Sequence, residues 1–349
     1  MYRIGLIGNR AHQNTYGPIW HEREDCKIIA AAEHHKGKAE ALSQLYGLEV
    51  ARDYDAVLED PNVDIVSICT DFYLKRTLIK KALACGKHVL VDKAIARTVV
   101  EAREIVDTVA GASNKVLLTY PSRFSPTMIR LKEALDRGEY GRISAYAHNS
   151  VKQFFGDLMA YVSYPTPAVQ NGGGELMNLG SHTVDALLWF FGMPNRVSCQ
   201  VQNLYFEEYA QFGTEDIATL WCEYPDFTAT LTAGRSKARS KDATFDCVNI
   251  TGEGAWVQVD RLGYAVNGKL IDTPPPRAAG MAAGVAHLID CIEQDTTPVT
   301  SAEDGLSVAL LTTAAYQAAH TGEPVTLPLQ NEQHPLIDPK DHVVDRLLD

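Results

Sequence analysis

Residues 65–93 read IVSICTDFYLKRTLIKKALACGKHVLVDK. The apolar run at 65–70 has the length of a buried strand, 73–85 carries apolar residues at helical spacing, Gly86 supplies a helix C-cap, and 88–91 is a second apolar run. This order predicts two parallel strands bridged by a helix. The same alternation continues on both sides, with strands expected at 3–8, 27–32 and 115–119 and a helix at 98–109 that starts on Thr98 and ends before Gly111. Strand and helix in strict alternation give a parallel, doubly wound sheet.

After Tyr120 the pattern changes. A helix is expected near 126–137, a strand at 143–151, a loop holding Pro165, Pro167 and Gly172-Gly173-Gly174, and a helix that runs to Phe191. Strands are then expected at 197–204, 217–224, 228–233, 245–251 and 255–260 as an antiparallel meander, followed by helices at 281–294 and 302–321. The fold class is therefore α/β: a doubly wound domain over 1–120, and over 121–349 an α+β domain with a large, mostly antiparallel, open-faced sheet. The chain has 349 residues, enough for two such cores.

Composition narrows the function. The excess of 44 acidic over 32 basic residues gives a net charge of −12, which repels nucleic acid and anionic lipid. No apolar run approaches the ~18 residues of a membrane span, and the start Met1-Tyr2-Arg3 has no signal-peptide core, so a cytoplasmic protein is expected. The 7 cysteines are scattered without a Cys-x-x-Cys pair and read as reduced core residues; no metal site is expected.

Gly5 and Gly8 lie at the turn after the first strand, where a Rossmann domain places Gly-x-Gly-x-x-Gly, but Arg10 and Gln13 stand in the later glycine positions. Glu33 ends the second strand at the spacing of the carboxylate that accepts hydrogen bonds from the adenosine ribose of NAD; an exposed strand-end acid is the plainer reading. His34, His35 and Lys36 keep NADP open.

The chain resembles the glucose-fructose oxidoreductase, inositol dehydrogenase and rhizopine-catabolism (Gfo/Idh/MocA) family nearly end to end. Cys69-Thr70-Asp71-Phe72-Tyr73-Leu74-Lys75 is similar to the family's Cys-Thr-Pro-x-x-x-His, and Gly86-Lys87-His88-Val89-Leu90-Val91-Asp92-Lys93-Ala94 to its Gly-Lys-His-Val-Leu-x-Glu-Lys-Pro. Residues 120–124 resemble Tyr-x-x-Arg-Phe, residues 172–185 resemble Gly-Gly-Gly…Asp-x-x-x-His-x-x-Asp, and 252–254 and 301–305 match late family segments. The resemblance implies that Lys93 hydrogen-bonds the reacting hydroxyl and His182 takes or returns its proton. It places Gly8, Asn9, Arg10, Glu33, Thr70, Asp71, Asp92 and Lys93 at the cofactor, with Arg123, Asn178 and His182 at the substrate.

The residues themselves agree with that chemistry without requiring it. Alcohol oxidation needs a base and a cation or donor facing the developing alkoxide, and histidine and a desolvated lysine meet the need. Lys93 follows the strand at 88–91 at a parallel sheet's carboxyl edge, where ligands bind; a solvated strand-end lysine is the alternative. On the helix before Phe191, Leu176, Leu179, Thr183, Ala186, Leu187 and Phe190 form an apolar stripe, while Asn178, His182, Asp185 and Trp189 share another face. Such a polar stripe suits a site wall, or else a core histidine satisfied by Asn178 or Asp185. The glycine run at 172–174 reads equally as a close-approach loop or a plain one. Arg235, Lys237, Arg239 and Lys241 alternate at strand period, either as a solvated hairpin or as a lip for an anionic sugar or a second subunit.

Departures from the family pattern gather at the site. Ala94 in place of proline removes the ring that lowers the ~2.5–4 kcal/mol cost of a cis bond, so Lys93 is expected to point differently. Asn178 replaces the aspartate that pairs with the catalytic histidine, which makes His182 a weaker base. Arg10 would either reach a cofactor phosphate or obstruct it. The expectation is an NAD(P)-dependent oxidoreductase acting on a secondary hydroxyl or ketone of a sugar, cyclitol or polyol, assembled as a homodimer or homotetramer. Two alternatives stand beside it: a non-catalytic sensor of the same fold, and a lyase or glycosidase that oxidises its substrate transiently.

Overall fold

In the computed structural model, residues 1–10, 12–154, 158, 165–237, 246–273 and 276–344 are described. The first sheet holds β1 (Tyr2–Ile7), β2 (Cys26–Ala32), β3 (Val50–Ala51), β4 (Ile65–Ile68), β5 (His88–Asp92) and β6 (Val116–Thr119). They lie in the order β3-β2-β1-β4-β5-β6, every pair parallel. The reversal of order between β1 and β4 opens a crevice at their carboxyl ends, where ligands of doubly wound sheets bind. All four residues of β4 and of β6 are buried, as strands covered by helices on both faces require. The bridging helix of the opening stretch spans Phe72–Ala84, and the helix at Val99–Ala110 starts where Thr98 accepts the Glu101 N–H. Short β3 and the helices at Gln13–Glu22 and Lys36–Tyr46 are additions to the sequence reading.

The second sheet holds β7 (Ile143–Gln153), β8 (Arg196–Gln202), β9 (Ile217–Glu223), β10 (Thr228–Ser236), β11 (Asp246–Gly252), β12 (Trp256–Asp260), β13 (Gly263–Val266), β14 (Lys269–Asp272) and β15 (Val325–Thr326). Its order is β14-β13-β12-β11-β7-β10-β9-β8-β15. The expected meander is thus corrected at one place: β7 inserts between β11 and β10 and runs parallel to β10. Phe245, Arg239 and Lys241 lie outside the described residues.

The helix that ends at Phe191 opens with one wide turn, Leu176–Gly180, and continues as Ser181–Phe191. Its apolar stripe is buried as expected, since Leu176, Leu179, Thr183, Ala186, Leu187 and Phe190 are all enclosed. The late helices return to the first sheet. Met281, Val285, Leu288 and Ile289 of Arg277–Gln294 share a core with Tyr16 and Trp20 of Gln13–Glu22. On Ala302–Thr321, a Cβ at Gly305 would lie 2.5 Å from Ile95 Cγ2 and 2.9 Å from Leu118 Cδ2, so this helix lies directly on the residues after β5 and on β6. One continuous core therefore joins the two sheets across the site.

Candidate active site

The crevice begins at Gly8. Its φ of +78° is left-handed, and a Cβ there would stand 2.5 Å from both Cys69 O and Thr70 Cγ2. Gly8→Ala is therefore expected to cost about 1–3 kcal/mol and to weaken dinucleotide binding, as read by urea unfolding and by NADH fluorescence titration. An alanine variant with wild-type values on both would remove Gly8 from the site. Glu33 at the end of β2 is 2% exposed, and its carboxylate accepts the Asn9 N–H at 2.6 Å and the His35 N–H at 2.8 Å. The plainer reading of Glu33 as an exposed acid is corrected: two backbone donors hold it. His34 Nδ1 lies 3.4 Å from the same carboxylate, and the ligating atoms of Glu33, His34 and His35 lie within 4.8 Å of one another. Arg10 ion-pairs with Asp71, its side chain nearly enclosed. Asp71 also accepts from Asn171 Nδ2 at 3.2 Å, while Asn171 Oδ1 caps the Phe72 N–H at 2.9 Å. Two of the residues expected at the cofactor, Arg10 and Asp71, thus hold each other and the short helix Ala168–Asn171.

At the end of β5, Asp92 is fully enclosed. Burial alone would raise its pKa, but His12 at 2.8 Å, Lys75 and Lys93 more than offset that and hold the carboxyl well below the usual carboxylate range. Thr119 Oγ1 donates to it at 3.3 Å. Lys75, at the position of the family's histidine, is buried with its ammonium on the Asp92, Lys93 and Ala94 carbonyls at 2.5, 3.2 and 2.8 Å. Burial lowers its pKa to about 8. The Lys93–Ala94 peptide is cis although Ala94 is not proline. Lys93 Nζ donates to Asn178 O at 2.6 Å and Asn178 Oδ1 at 3.1 Å.

The glycine run and the wide turn carry Asn178 to Lys93. A Cβ at Gly173 would lie 2.0 Å from Tyr316 Oη and one at Gly174 2.1 Å from Glu215 O, so close packing, not loop freedom, explains these glycines. Glu215 accepts the Gly174 N–H at 3.2 Å, the Leu176 N–H at 2.9 Å and Tyr316 Oη–H at 2.8 Å. Burial pushes its carboxyl up to about 7, these three donors opposing. The folded pKa lies above the ordinary 4.5, so the folded chain holds a proton that the unfolded chain releases. The stability this contributes is complete below about pH 4.5 and is lost as pH rises through about 7, about 3 kcal/mol in all. Glu215→Gln is expected to flatten that fall, measured as urea midpoints on either side of the window. An equal slope in the variant would assign the titration elsewhere.

His182 is half-buried, its ring 6.3 Å from His12 and 6.1 Å from Tyr120. Tyr120 Oη is buried and has no hydrogen-bond partner among the described residues. His182 lines a cleft of about 880 Å³ together with Ser122, His148, Lys152, Asp246 and Asp260. Lys93 and Asn178 line a separate cavity of about 30 Å³ with Arg10 and Glu175. Lys93 and His182 therefore face different cavities, adjoining through Asn178 and His182 on one helix. Arg123, expected at the substrate, is corrected: its guanidinium donates to Asp185 at 2.7 Å and pairs with Asp304 at 2.9 Å beneath that helix. Burial raises Asp185 to about 6 against the pull of Arg123. The basic run is corrected as well. Arg235 points inward and pairs with buried Glu175 at 2.7 Å, while Lys237 stands 5.0 Å over the Phe206 ring.

His12 and Glu175 escaped sequence reading, each for want of a visible partner, whereas Lys75 was visible only as a lysine at the family's histidine position. His12 follows the glycine turn where no motif calls for histidine, and Glu175 precedes the polar stripe by one turn. Glu175 did carry a signal, an acidic residue inside a segment otherwise suited to burial.

The chain matches two family models: residues 2–120 the "Oxidoreductase family, NAD-binding Rossmann fold", and residues 128–258 the "GFO/IDH/MocA C-terminal domain". Among curated relatives, the D-glucoside 3-dehydrogenase of Escherichia coli (strain K12) is 23% identical over 93% of this chain and 97% of that protein. The levoglucosan dehydrogenase of Pseudarthrobacter phenanthrenivorans is 25% identical over 61% of this chain and 57% of its own length. Among solved structures, a scyllo-inositol dehydrogenase from Lactobacillus casei with bound NAD(H) and scyllo-inositol shares the fold at a TM-score of 0.78 and 20% identity, covering 93% of this chain and 99% of that one. The residues of the crevice fit the dinucleotide. Gly8 admits no side chain, and among the described residues the helix Gln13–Glu22 has no side-chain cap on its first N–H groups and Asn9 Oδ1 and Gln13 Nε2 are buried without partners. The chain belongs to the Gfo/Idh/MocA oxidoreductase family, and its residues 2–120 form that family's NAD-binding Rossmann domain.

Proposed function

We propose that the chain moves a hydride between NAD and a secondary hydroxyl or ketone of a sugar, cyclitol or related polyol, with Lys93 and His182 handling the proton. The observation that carries this reading is the Lys93 ammonium at the carboxyl edge of β5, held across the domain boundary by Asn178, beside the His182 cleft.

Bound NAD would supply the hydride acceptor. Gly8, Asn9, Glu33 and the uncapped turn at His12 would hold it, and Arg10 would reach its phosphates only by leaving Asp71. Lys93 donates a hydrogen bond to the reacting oxygen and stabilises negative charge as it develops there. His182, one helical turn beyond Asn178, accepts the hydroxyl proton from the cleft side and returns it in the reverse direction. Asn178 brings no charge to His182; its oxygen serves Lys93 instead. Asp92, kept ionised, orients His12 and places a negative charge at the end of β5 beside Lys93. The exposed Trp221 and Trp256 on the outer face of the second sheet support a homo-oligomer, the dimer or tetramer of the sequence reading.

The test is a polyol panel with NAD. One NADH per oxidised substrate is expected from at least one member. NAD binding without turnover across the panel would favour the sensor, a reading that the separation of Lys93 from the His182 cleft also supports. Product without net NADH would favour transient oxidation.

A further inference from the structure

We propose that Glu175 is a positioning residue for the proposed hydride transfer: it holds the Asn178 amide with its oxygen toward Lys93 and so sets where the Lys93 ammonium points. This rests on the function proposed above.

A side-chain amide has two faces, oxygen and NH₂, and its partners decide which way it turns. Asn178 sits between a cation and a carboxylate. Its Nδ2 donates to Glu175 Oε1 and Oε2 at 3.1 and 3.2 Å, which leaves Oδ1 to accept from Lys93 Nζ at 3.1 Å. Turned over, the amide would set its oxygen against the carboxylate and its NH₂ against the ammonium. Glu175 cannot follow such a turn. Its Oε1 also accepts from Arg235 Nε at 2.7 Å and from the Tyr209 hydroxyl, and Arg235 in turn donates to Tyr209 Oη at 3.3 Å. Arg235 comes from β10 and Tyr209 from the short helix Glu207–Gln211, so two elements besides its own fix the carboxylate. Glu175 and Arg235 are both buried, so the carboxylate is paired where water cannot replace the partner. A negative charge is therefore present near Lys93, three residues before the position where the family pattern has aspartate, and it acts through the amide.

The test moves the carboxylate. In Glu175→Gln, an NH₂ takes the place of one oxygen facing Asn178 while Arg235 and Tyr209 keep the other. Asn178 then keeps only its bond to Oε1, which Arg235 and Tyr209 share, and the introduced NH₂ draws the Asn178 oxygen away from Lys93. In Glu175→Gln with Asn178→Asp, one oxygen of the introduced carboxylate accepts from the introduced amide and the other from Lys93, with the cluster's net charge unchanged.

Two readouts are taken on the full chain. The first is the Lys93 ε-carbon resonance, followed against pH by NMR in lysine-labelled protein and assigned by its loss in Lys93→Arg. The second is kcat and KM on whichever polyol the panel identifies. Glu175→Gln is expected to lower the Lys93 titration midpoint by about one pH unit, a tenfold change in its proton equilibrium for one lost charge-assisted hydrogen bond. It should lower kcat about tenfold with KM for NAD unchanged, and the double variant should restore both. An unchanged midpoint in Glu175→Gln, or no restoration in the double variant, overturns the proposal. Should Glu175→Gln fail to fold, Asn178→Leu leaves the Glu175, Arg235 and Tyr209 cluster whole and removes only the amide. The same drop in midpoint is expected there, and a wild-type midpoint overturns the proposal. If no polyol is oxidised, the NMR arm still decides the positioning, and only the functional reading falls.

Discussion

Lys93→Ala is expected to lower kcat about 10²–10⁴-fold, the range set by loss of a positioned proton-handling group. Binding of NADH should change little. Gly8 and Glu33 follow β1 and β2, whereas Lys93 stands at the end of β5 with its ammonium directed to Asn178 across the domain boundary. The effect should therefore appear in kcat, with KM for NAD near wild type, because the interaction is strongest when negative charge develops on the substrate oxygen. The variant leaves the Asn178 carbonyl and side-chain oxygens without the donor they share. Small alkylammonium ions should enter the vacated space and restore part of the rate. Stopped-flow measurement of NADH formation checks the first point, and a series of amines of increasing size checks the second. A Lys93→Ala enzyme with unchanged kcat would remove Lys93 from the chemistry and leave His182 and the large cleft as the place to look.

The largest expected effect on stability belongs to Arg97. Its guanidinium meets Glu101 through Nε at 3.1 Å and Nη2 at 2.5 Å, and both side chains are 0% exposed. It also donates to Asp341 O at 3.1 Å and to Val169 O, so one buried cation joins the segment after β5, the short helix Ala168–Asn171 before the glycine run and the segment at 339–342. Removing one member of such a pair strands the other in a medium of low polarity, which costs about 3–5 kcal/mol. Burial already pushes the Glu101 carboxyl up against the pull of Arg97. Arg97→Met is thus expected to lose about 3–5 kcal/mol, a large part of the roughly 5–15 kcal/mol of a folded domain. The urea midpoint should fall with little change in slope. Adding Glu101→Leu should recover much of the loss, because replacing both charges by apolar groups of similar volume is nearly neutral. A loss below about 1 kcal/mol would mean that water reaches Glu101 in the variant. Lys93 lies four residues before Arg97 and Gly172 three after Val169, so this variant should also weaken NADH binding below its unfolding midpoint.

Local structure was largely legible. The run at 65–70 became β4, that at 88–91 became β5, and the intervening helix kept its Gly86 stop, because burial on both faces imposes apolar continuity on parallel strands and period 3.6 on the helix. The second sheet was read strand by strand but not in order. Nothing local in 143–153 reveals that β7 pairs with β10 on one side and β11 on the other, as those partners arrive about 80 to 100 residues later. The basic run failed for the same reason. Period two predicts one strand face for Arg235 and Lys237, but β10 ends at Ser236, and which way Arg235 turns depends on Glu175, 60 residues earlier.

The amino-acid sequence alone determined the two-domain α/β architecture, the family, the dinucleotide end of the sheet and the identity of Lys93 as the residue at its carboxyl edge. All of these rest on periodicity and on short motifs, which are properties of neighbouring residues. Tertiary structure decided the electrostatics. His12 with Asp92, Arg10 with Asp71, Lys75 under the Asp92, Lys93 and Ala94 carbonyls, and Glu175 between Asn178 and Arg235 join residues far apart in the chain, apart from the Glu175–Asn178 step. Each pairing is strong because folding removes water from both partners at once, so the charge that Asn178 itself lacks is supplied by a carboxylate whose role depends on its buried neighbours.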